Sequence, residues 1–241
     1  MNIIKLSATN STNDYLKTLA AERYVEHLTL VVAEHQLNGR GQRGAQWYAE
    51  PGKNLTFSIL IKDLLLDINE IFYLNAAVAV SITDTLAHYL SDISIKWPND
   101  ILAGNYKIGG ILIENSIKNN GEIVSVAGIG LNVNQHNFEG LPKATSMAVV
   151  AGHDFDKETI MLAIADNLKR NIAALMHNGS NALWEKYHDK LYRKGIPMPF
   201  EKEGQKFMGI IQEVSRTGNL KVTLEDDTTA LFGLKEVRLL Y

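Results

Sequence analysis

Residues 94–112 read SIKWPNDILAGNYKIGGIL, and this alternation of apolar runs with turn residues decides the predicted fold. It predicts three β-strands, at residues 94–97, 100–103 and 107–117. Gly104-Asn105 is the turn signal between the second strand and the third. Because short turns connect antiparallel neighbours, the stretch predicts part of a mostly antiparallel sheet.

The sequence on either side predicts more strands and the helices that cover them. The predicted strands are residues 2–8, 28–33, 54–61 and 122–133, and the predicted helices are residues 12–24, 68–90, 157–177 and 181–192. The long helix over 68–90 has an all-apolar middle, so we expect it in the core. Asn119-Asn120-Gly121 is a second turn signal. The fold class is therefore α+β, a mixed, mostly antiparallel sheet packed with helices.

The chain changes character after Gly195-Ile196-Pro197. Beyond it the sequence predicts short strands at close spacing, at residues 198–202, 207–214, 220–224, 229–232 and 237–240. Such spacing is typical of a small β-barrel. We therefore expect one domain over residues 1–194 and a small C-terminal β-barrel domain over residues 195–241.

The composition of the 241-residue chain excludes several classes of protein. It contains no cysteine, which excludes disulfides, thiolate metal sites and a cysteine nucleophile, and which fits a reducing compartment. No segment is apolar over the ~20 residues that a membrane span needs, and residues 1–5 do not begin a secretory signal. The formal net charge of -3 argues against an overall basic, nucleic-acid-binding surface. We expect a cytoplasmic protein that does not contact membranes.

Residues 96–100, Lys-Trp-Pro-Asn-Asp, place charged and amide groups around a proline at a strand end. Pro98 fixes its own φ and restricts the residue before it to extended backbone, so this corner can aim Asn99 and Asp100 at one point. A hairpin brings Lys107 back near Asp100. The alternative is a polar turn with solvated lysines, since polar loop residues are common.

Residues 39–44 form a glycine-rich segment with the sequence Gly-Arg-Gly-Gln-Arg-Gly. It matches G-x-G-x-x-G, but no helix is predicted after it, which argues against a dinucleotide-binding fold. The glycines allow close approach to an anion, and Arg40 and Arg43 add forked donors that suit phosphate oxygens. Trp47 offers a flat face to a base. An exposed turn with solvated arginines is the alternative interpretation.

Glycines also interrupt two of the predicted strands. Gly109-Gly110 lie in one, and Gly128 and Gly130 lie in another that continues to Asn132. Missing side chains leave room for a ligand against the sheet, and Asn132 offers amide hydrogen bonds. The alternative is a bulged strand in the core.

Together these segments resemble the biotin–protein ligase family, also called biotin–[acetyl-CoA-carboxylase] ligase. The matching pieces stand in the family's order: Ser11-Thr12-Asn13, residues 34–36 with 39–44 and Trp47, residues 96–100, residues 107–112, and residues 128–132. The resemblance implies the fold shared by class II aminoacyl-tRNA synthetases and biotin ligases, followed by an SH3-like β-barrel.

The resemblance implies a role for each matching residue. The biotin-binding residues would be Ser11, Thr12, Asn13, Gln36, Gly39, Arg40, Lys107, Gly109, Gly110 and Gly128. The nucleotide-binding residues would be Arg40, Arg43, Trp47, Asn99, Lys107 and Asn132. The catalytic residues would be Lys107, Arg40 and Asp100. Asn99 and Asp100 would lie close to the phosphates or to Mg²⁺, whose ligands the resemblance does not identify.

The resemblance also implies the reaction and its participants. The carboxylate of biotin attacks the α-phosphorus of ATP, with Mg²⁺ as activator, and gives biotinyl-5′-AMP and pyrophosphate. A lysine of a biotin carboxyl carrier protein of an acyl-CoA carboxylase then attacks the mixed anhydride. Asp100 would orient that amine or accept its proton. A homodimer is compatible with this resemblance.

Two features depart from well-known family members. Gln42 stands where they have arginine, so Arg40, Arg43 and Lys107 are left to neutralise the phosphate of the intermediate. The matching segments begin at Ser11, without a DNA-binding helix-turn-helix before them, so we expect a monofunctional ligase that does not bind DNA.

Two other functions remain as alternatives. A lipoate–protein ligase or related acyltransferase shares the fold, and a non-catalytic biotin- or nucleotide-binding regulator would share the pocket. Biotin needs hydrogen-bond partners for its ureido ring, whereas lipoate needs an apolar slot. Ser11, Thr12 and Gln36 therefore favour biotin.

Overall fold

The structure of the chain is a computed structural model, and it describes residues 1–62, 70–118, 122–177 and 179–241. The strands are β1 (Ile3–Thr9), β2 (Leu30–Gln36), β3 (Leu55–Ile61), β4 (Ile93–Lys96), β5 (Asp100–Ala103), β6 (Tyr106–Ile117), β7 (Ile123–Leu131), β8 (Pro197–Lys202), β9 (Gln205–Val214), β10 (Leu220–Leu224), β11 (Thr229–Phe232) and β12 (Arg238–Leu239). The α-helices are α1 (Thr12–Glu22), α2 (Phe72–Leu86), α3 (Met147–Ala151), α4 (Lys157–Met176) and α5 (Ser180–Asp189).

The described strands β1 to β7 form one sheet in the order β1-β2-β3-β7-β6-β5-β4. β1 and β2 are parallel, joined through α1, and the other neighbouring pairs are antiparallel. The segment 94–112 supplies β4, β5 and the start of β6, with Gly104 in the turn at φ +57°. The prediction of a mostly antiparallel sheet is confirmed.

One face of this sheet is apolar and covered by α2, α4 and α5. Ile101, Ile111 and Ile129 point into that core together with nearly every residue of α2. The helix is buried on most sides because it lies between the sheet and the other two helices. It begins at Phe72, later than predicted, and the predicted starting residues 68 and 69 lie outside the described residues.

The opposite face is covered over only part of its area. α1 packs Leu16 against Val31, Leu60 and Val126 in a small second apolar cluster. Toward the other end of β7, on the same face, Gly128 and Gly130 replace the valines, with Asn13 at the start of α1 over the first and Trp47 over the second. That open end of the sheet is where the cavity described below lies.

The C-terminal strands form a second, antiparallel sheet in the order β11-β10-β9-β8-β12. The predicted small β domain is therefore present as a sheet, as the SH3-like prediction requires. Phe200, Val214 and Val222 of this sheet belong to the same apolar cluster as Tyr187 of α5. The two sheets thus share a core, and the boundary at residues 194/195 stays a prediction.

Some elements differ from the predictions. α3 is not predicted, because its five residues between Ser146 as N-cap and Gly152 as C-cap are too few to show helical periodicity. The predicted turn at residues 119–121 lies outside the described residues. Among the helices of the described part of the chain, none has the length and apolarity needed to cross a membrane.

Candidate active site

Glycines form the floor of the cavity because three of them share one face of adjacent strands. Gly110 of β6 lies directly across from Gly130 of β7, and Gly128 lies two residues along on the same face. A Cβ at Gly130 would lie 2.5 Å from the indole of Trp47, whereas one at Gly110 would meet only ordinary contacts at 3.5 Å. Gly109 points to the opposite face, toward Ile101.

A cavity of about 480 Å³ lies above this floor. Its volume falls within the roughly 300–1,000 Å³ that small-molecule sites usually occupy. Both sheets line it, since Ile211, Leu220, Val237 and Arg238 of the C-terminal part face the first sheet across it. The cavity is therefore completed by residues on both sides of the predicted domain boundary.

One end of the cavity is a neutral hydrogen-bond network at the start of α1. The backbone N–H and the hydroxyl of Thr12 both donate to Oε1 of Gln36, at 2.8 and 3.0 Å. Ser58 Oγ lies 2.7 Å from Thr12 Oγ1 and 2.5 Å from Asn13 Oδ1. Ser11 caps the helix, with its hydroxyl accepting from the N–H of Asp14. Because Oε1 of Gln36 is occupied, its amide nitrogen is left as the donor for a ligand.

The other end of the cavity is charged. Lys107 Nζ lies 2.5 Å from Asp100 Oδ1, and Lys96 Nζ lies 3.2 Å from Asp100 Oδ2. The hairpin predicted from residues 96–107 therefore brings Lys107 to Asp100, as expected. The pair forms because Asp100 faces Gly110 across the β5–β6 ladder, which leaves the space that the lysine crosses.

The corner before Asp100 is held from two sides. Asn75 of α2 donates to the carbonyl of Pro98 at 3.0 Å. The side-chain amide of Asn99 donates to the backbone carbonyl of Ile111 at 2.7 Å. The backbone carbonyl of Asn99 accepts from the N–H of Ile111. Asp100 is thereby placed by a helix and by a neighbouring strand.

The glycine-rich segment folds as a tight hairpin. Trp47 N donates to Gly39 O, and Gly41 N donates to Ala45 O, with a 3₁₀ turn at Gln42–Gly44. The indole of Trp47 rests on Gly130 with the ammonium of Lys107 5.8 Å from its ring centroid. Its Nε1 is buried and has no hydrogen-bond partner among the described residues.

Arg40 takes part in an ion cluster at the edge of the cavity. Its guanidinium pairs with Asp14 and lies 3.7 Å from Glu114 Oε1. Lys17 pairs with the same carboxylates, at 3.0 Å from Asp14 and 2.7 Å from Glu114. Burial alone would lower the pKa of Lys17, but its hydrogen bonds to Glu114 and Asp14 raise it above the usual value.

Three comparisons with known proteins bear on this geometry. The model of the biotin/lipoate A/B protein ligase family matches residues 6–134, more than half of the chain. The chain belongs to that family. The match ends just beyond β7, so it covers the cavity floor, the charged corner and the neutral network of this ligase-family chain.

Named relatives are biotin ligases. The chain is 28% identical over 220 residues to the biotin–[acetyl-CoA-carboxylase] ligase of Mycobacterium tuberculosis, covering 89% of this chain and 80% of the relative. It is 34% identical over 168 residues to the bifunctional ligase/repressor BirA of Bacillus subtilis, covering 66% of this chain. The chain spans about half the length of that Bacillus relative, 51%.

The fold agrees with a solved member of the family over its full length. The biotin protein ligase of Aquifex aeolicus, in complex with biotin and ATP, superimposes with a TM-score of 0.82 at 25% identity. The alignment covers 99% of this chain and 98% of that chain. The predicted family and fold class are both confirmed.

Most of the predicted site residues line the cavity. Those that line it are Ser11, Thr12, Asn13, Gln36, Arg40, Trp47, Asn99, Asp100, Lys107, Gly110 and Gly128. Three other predicted residues do not line it: Gly39, Gly109 and Asn132. Nothing is described of the Arg43 side chain.

Two of these three residues lie behind the cavity wall. Gly39 lies against the backbone of Trp47, and Gly109 faces the core, so both shape the site through backbone. Asn132 donates to the carbonyl of Thr145 at 3.0 Å, and its Oδ1 is buried without a partner among the described residues.

The sequence interpretation missed two residues at the site, Ser58 and Tyr241. Ser58 stands among apolar neighbours in β3 and looks like an ordinary strand residue. The ring of Tyr241 packs between the ammonium groups of Lys96 and Lys143, at 4.9 and 5.0 Å from the ring centroid. No motif in the sequence signals these contacts, because each joins distant parts of the chain.

Proposed function

We propose that this chain is an ATP-dependent biotin–protein ligase. It forms biotinyl-5′-AMP from biotin and ATP, and then transfers the biotinyl group to a lysine of a biotin carboxyl carrier protein. The observation that carries the proposal is the cavity with a neutral hydrogen-bond network at one end and the Asp100–Lys107 pair at the other. Membership of the family and the named relatives support the same activity.

The neutral end suits the ureido ring of biotin. The free amide donors of Gln36 and the buried hydroxyls of Ser11, Thr12 and Ser58 give a ring with a carbonyl and two N–H groups its partners. An apolar dithiolane would give the Gln36 amide nitrogen no hydrogen-bond partner, which costs binding free energy. This is the reason to favour biotin over lipoate.

The charged end suits the carboxylate and the phosphates. In the first step the biotin carboxylate attacks the α-phosphorus of ATP, the bond from that phosphorus to the bridging oxygen breaks, and pyrophosphate leaves. Lys107 offsets the negative charge that builds on the oxygens, which is often the largest catalytic contribution. Asp100 holds the Lys107 ammonium in place through the 2.5 Å contact.

The second step needs the carrier lysine as a free amine. The amine attacks the carbonyl carbon of the mixed anhydride, an amide forms as the nitrogen gives up one proton to the Asp100 carboxylate, and AMP leaves with the bonding electrons. The Asp100 carboxylate faces the cavity and is the side chain proposed to orient the incoming amine. The hairpin at Gly39–Trp47 covers the intermediate and keeps water away from the anhydride.

Trp47 and Arg40 are proposed to act from this hairpin. The Trp47 indole lies where it can stack on adenine, and Arg40 lies at the rim with Asp14 and Glu114 as its present partners. Asn132 and Asn99 are proposed to bind the nucleotide, Asn132 through its carbonyl oxygen, which has no hydrogen-bond partner among the described residues.

Mg²⁺ is proposed as the activator that enters with ATP. The described residues contain no group of three or more His, Cys, Asp or Glu side chains that could hold a metal ion. Both oxygens of Asp100 are paired with lysines. These residues therefore do not fit a protein-built metal site, and no step is assigned to the ion; Mg²⁺ commonly binds through phosphates of the substrate.

The test is a two-part assay of the purified chain. Biotin-dependent exchange between ATP and labelled pyrophosphate measures the first step, and transfer of biotin to a carboxylase carrier domain measures the second. Lipoate in place of biotin is the matched control. Activity with lipoate alone would favour the related acyltransferase, and binding of biotin without exchange would identify a non-catalytic regulator.

The cytoplasmic location, the homodimer and the absence of DNA binding remain predictions. Gel filtration with and without biotin and ATP measures the oligomeric state directly. The effect of Gln42 on the charge around the intermediate also remains a prediction. Gln42 lines the cavity, and an arginine at this position of the hairpin would add positive charge beside it.

A further inference from the structure

A turn of the C-terminal sheet contacts the charged corner of the first sheet. The indole N–H of Trp97 donates to the backbone carbonyl of Gly218 at 2.9 Å, and the contact is buried. Gly218 lies between β9 and β10 in a turn closed by its own N–H on Ser215 O. The bond joins residues 121 positions apart in the chain.

The position of Gly218 is tightly constrained. It adopts φ +89°, a conformation that favours glycine, and a Cβ there would lie 2.5 Å from the ring of Phe72. Phe72 is itself held edge-on by Trp184 and Tyr187, at 6.1 and 5.9 Å between ring centroids. The carbonyl of Gly218 is therefore fixed against the core.

Trp97 is three residues from Asp100 and lines the same cavity. Pro98 follows it, and Asn75 holds the carbonyl of Pro98 from α2. A shift of the indole would therefore be passed through a short, constrained backbone to Asp100 and, through the 2.5 Å contact, to Lys107. Misplacement of a catalytic group by ~1 Å can cost ~100-fold in rate.

We propose that the β9–β10 turn is a positioning element of adenylate formation, acting through Gly218 and Trp97 on the Asp100–Lys107 pair. Trp97 is a positioning residue in this proposal, and the C-terminal sheet contributes to the rate of the first step without touching the reacting atoms. The inference rests on the proposed ligase function.

Two variants disrupt the hydrogen bond, one at the donor residue and one at the acceptor residue. Trp97→Phe removes the indole N–H and keeps an aromatic ring, and Gly218→Ala displaces the carbonyl because its methyl group meets Phe72. Gly204→Ala is the matched control, since Gly204 lies in another turn of the same sheet at φ +82° with nothing within 4 Å of a Cβ. It reproduces the backbone strain without the contact.

The measurement is kcat and KM for biotin-dependent pyrophosphate exchange, with a thermal melt of each variant. We expect Trp97→Phe and Gly218→Ala each to lower kcat about 10- to 100-fold while the KM for biotin changes less than about threefold. The double variant should be no slower than the slower single variant, because both break one contact. Gly204→Ala should keep the wild-type kcat.

Three results would overturn the proposal. Wild-type kcat in both folded variants shows that the contact does not position the pair. Equal losses in Gly204→Ala show a general effect of strain in this sheet. Unfolding of both contact variants, with Gly204→Ala folded, shows that the contact serves stability. Inactivity of the unchanged chain is a separate outcome, since it contradicts the proposed ligase function itself.

Discussion

The two ends of the cavity are built from different chemistry. At the α1 end, Thr12, Asn13 and Ser58 are nearly inaccessible and joined by neutral hydrogen bonds. At the β5–β6 end, Lys107 is 35% exposed and Asp100 is paired with two ammonium groups. A buried neutral network penalises a ligand that leaves it unpaired, so it suits recognition. An open charged pair can meet phosphates and a second substrate, so it suits catalysis.

This contrast gives each end its own kinetic signature. Changes at the charged end should lower kcat, because the groups there act on charge that develops during the reaction. Changes at the neutral end should weaken biotin binding and leave kcat nearly unchanged. The predictions below test this division, beginning with the largest effect.

The largest effect is expected for Lys107→Ala. Loss of one donor that stabilises developing charge costs about 2.7–4 kcal/mol, or roughly 100- to 1,000-fold in kcat. Pyrophosphate exchange measures it, and calorimetric titration with biotin should show a smaller loss than kcat does, because Lys107 faces the biotin carboxylate as well as the phosphates. Lys221→Ala is the control, since that lysine forms an exposed ion pair with Glu213 in the second sheet. Near-normal exchange by Lys107→Ala would contradict the assignment of the charged end.

A smaller effect is expected where the two ends meet, at the glycine floor. Gly130→Ala places a methyl group 2.5 Å from the Trp47 indole, and overpacking of this kind costs about 1–3 kcal/mol. The variant should displace the indole and raise the KM for ATP. Gly110→Ala, directly across the ladder, meets only contacts of 3.5 Å and should change it less. Equal KM values in the two variants would show that Trp47 does not contact the nucleotide.

The division between the two ends could be predicted only in part from the sequence. Turn signals and apolar alternation predicted the strands around residues 94–112, since hairpins depend on local residues. The Asp100–Lys107 pair could be predicted for the same reason, because one short hairpin brings the two residues together. The neutral end was predicted through Ser11, Thr12, Asn13 and Gln36, but Ser58 was not predicted, because it lies in a fully buried strand.

Contacts between distant segments could not be predicted. Which of Gly109 and Gly110 faces the cavity depends on the β5–β6 register, which shifts between Ile101 and Leu102. The ion pairs of Arg40 depend on where α1 places Asp14. The C-terminal sheet forms part of the cavity wall because the two sheets share a core. No local sequence pattern predicts that the two sheets pack together.

The neutral end itself is tested by Ser58→Ala. The change removes the hydroxyl between Thr12 and Asn13 at a fully buried position, and an unsatisfied buried polar group costs about 1–2 kcal/mol. The dissociation constant for biotin, measured by calorimetry, should therefore rise roughly 5- to 30-fold. Thr56→Ser, which keeps a hydroxyl two residues away on the same face, is the control. A fall in kcat without weaker binding would break the proposed division of roles.

The smallest effect concerns pH and arises at the charged end. Burial, together with the charges of Asp100 and Tyr192, raises the pKa of Tyr241 to about 12. An unfolded tyrosine has a pKa of about 10. The folded state therefore holds this proton more tightly, so the contribution of Tyr241 to stability is complete below pH 10 and is lost as pH rises from 10 through 12.

Tyr241→Phe isolates this contribution. The variant keeps the ring between Lys96 and Lys143 but has no hydroxyl to titrate. We expect the free energy of unfolding of the wild type, measured in urea at pH 9, 10 and 11, to fall relative to the variant as pH rises. Other groups titrate equally in both proteins and cancel in the difference. A difference that stays constant from pH 9 to 11 would show that the Tyr241 hydroxyl is not shielded at the charged end.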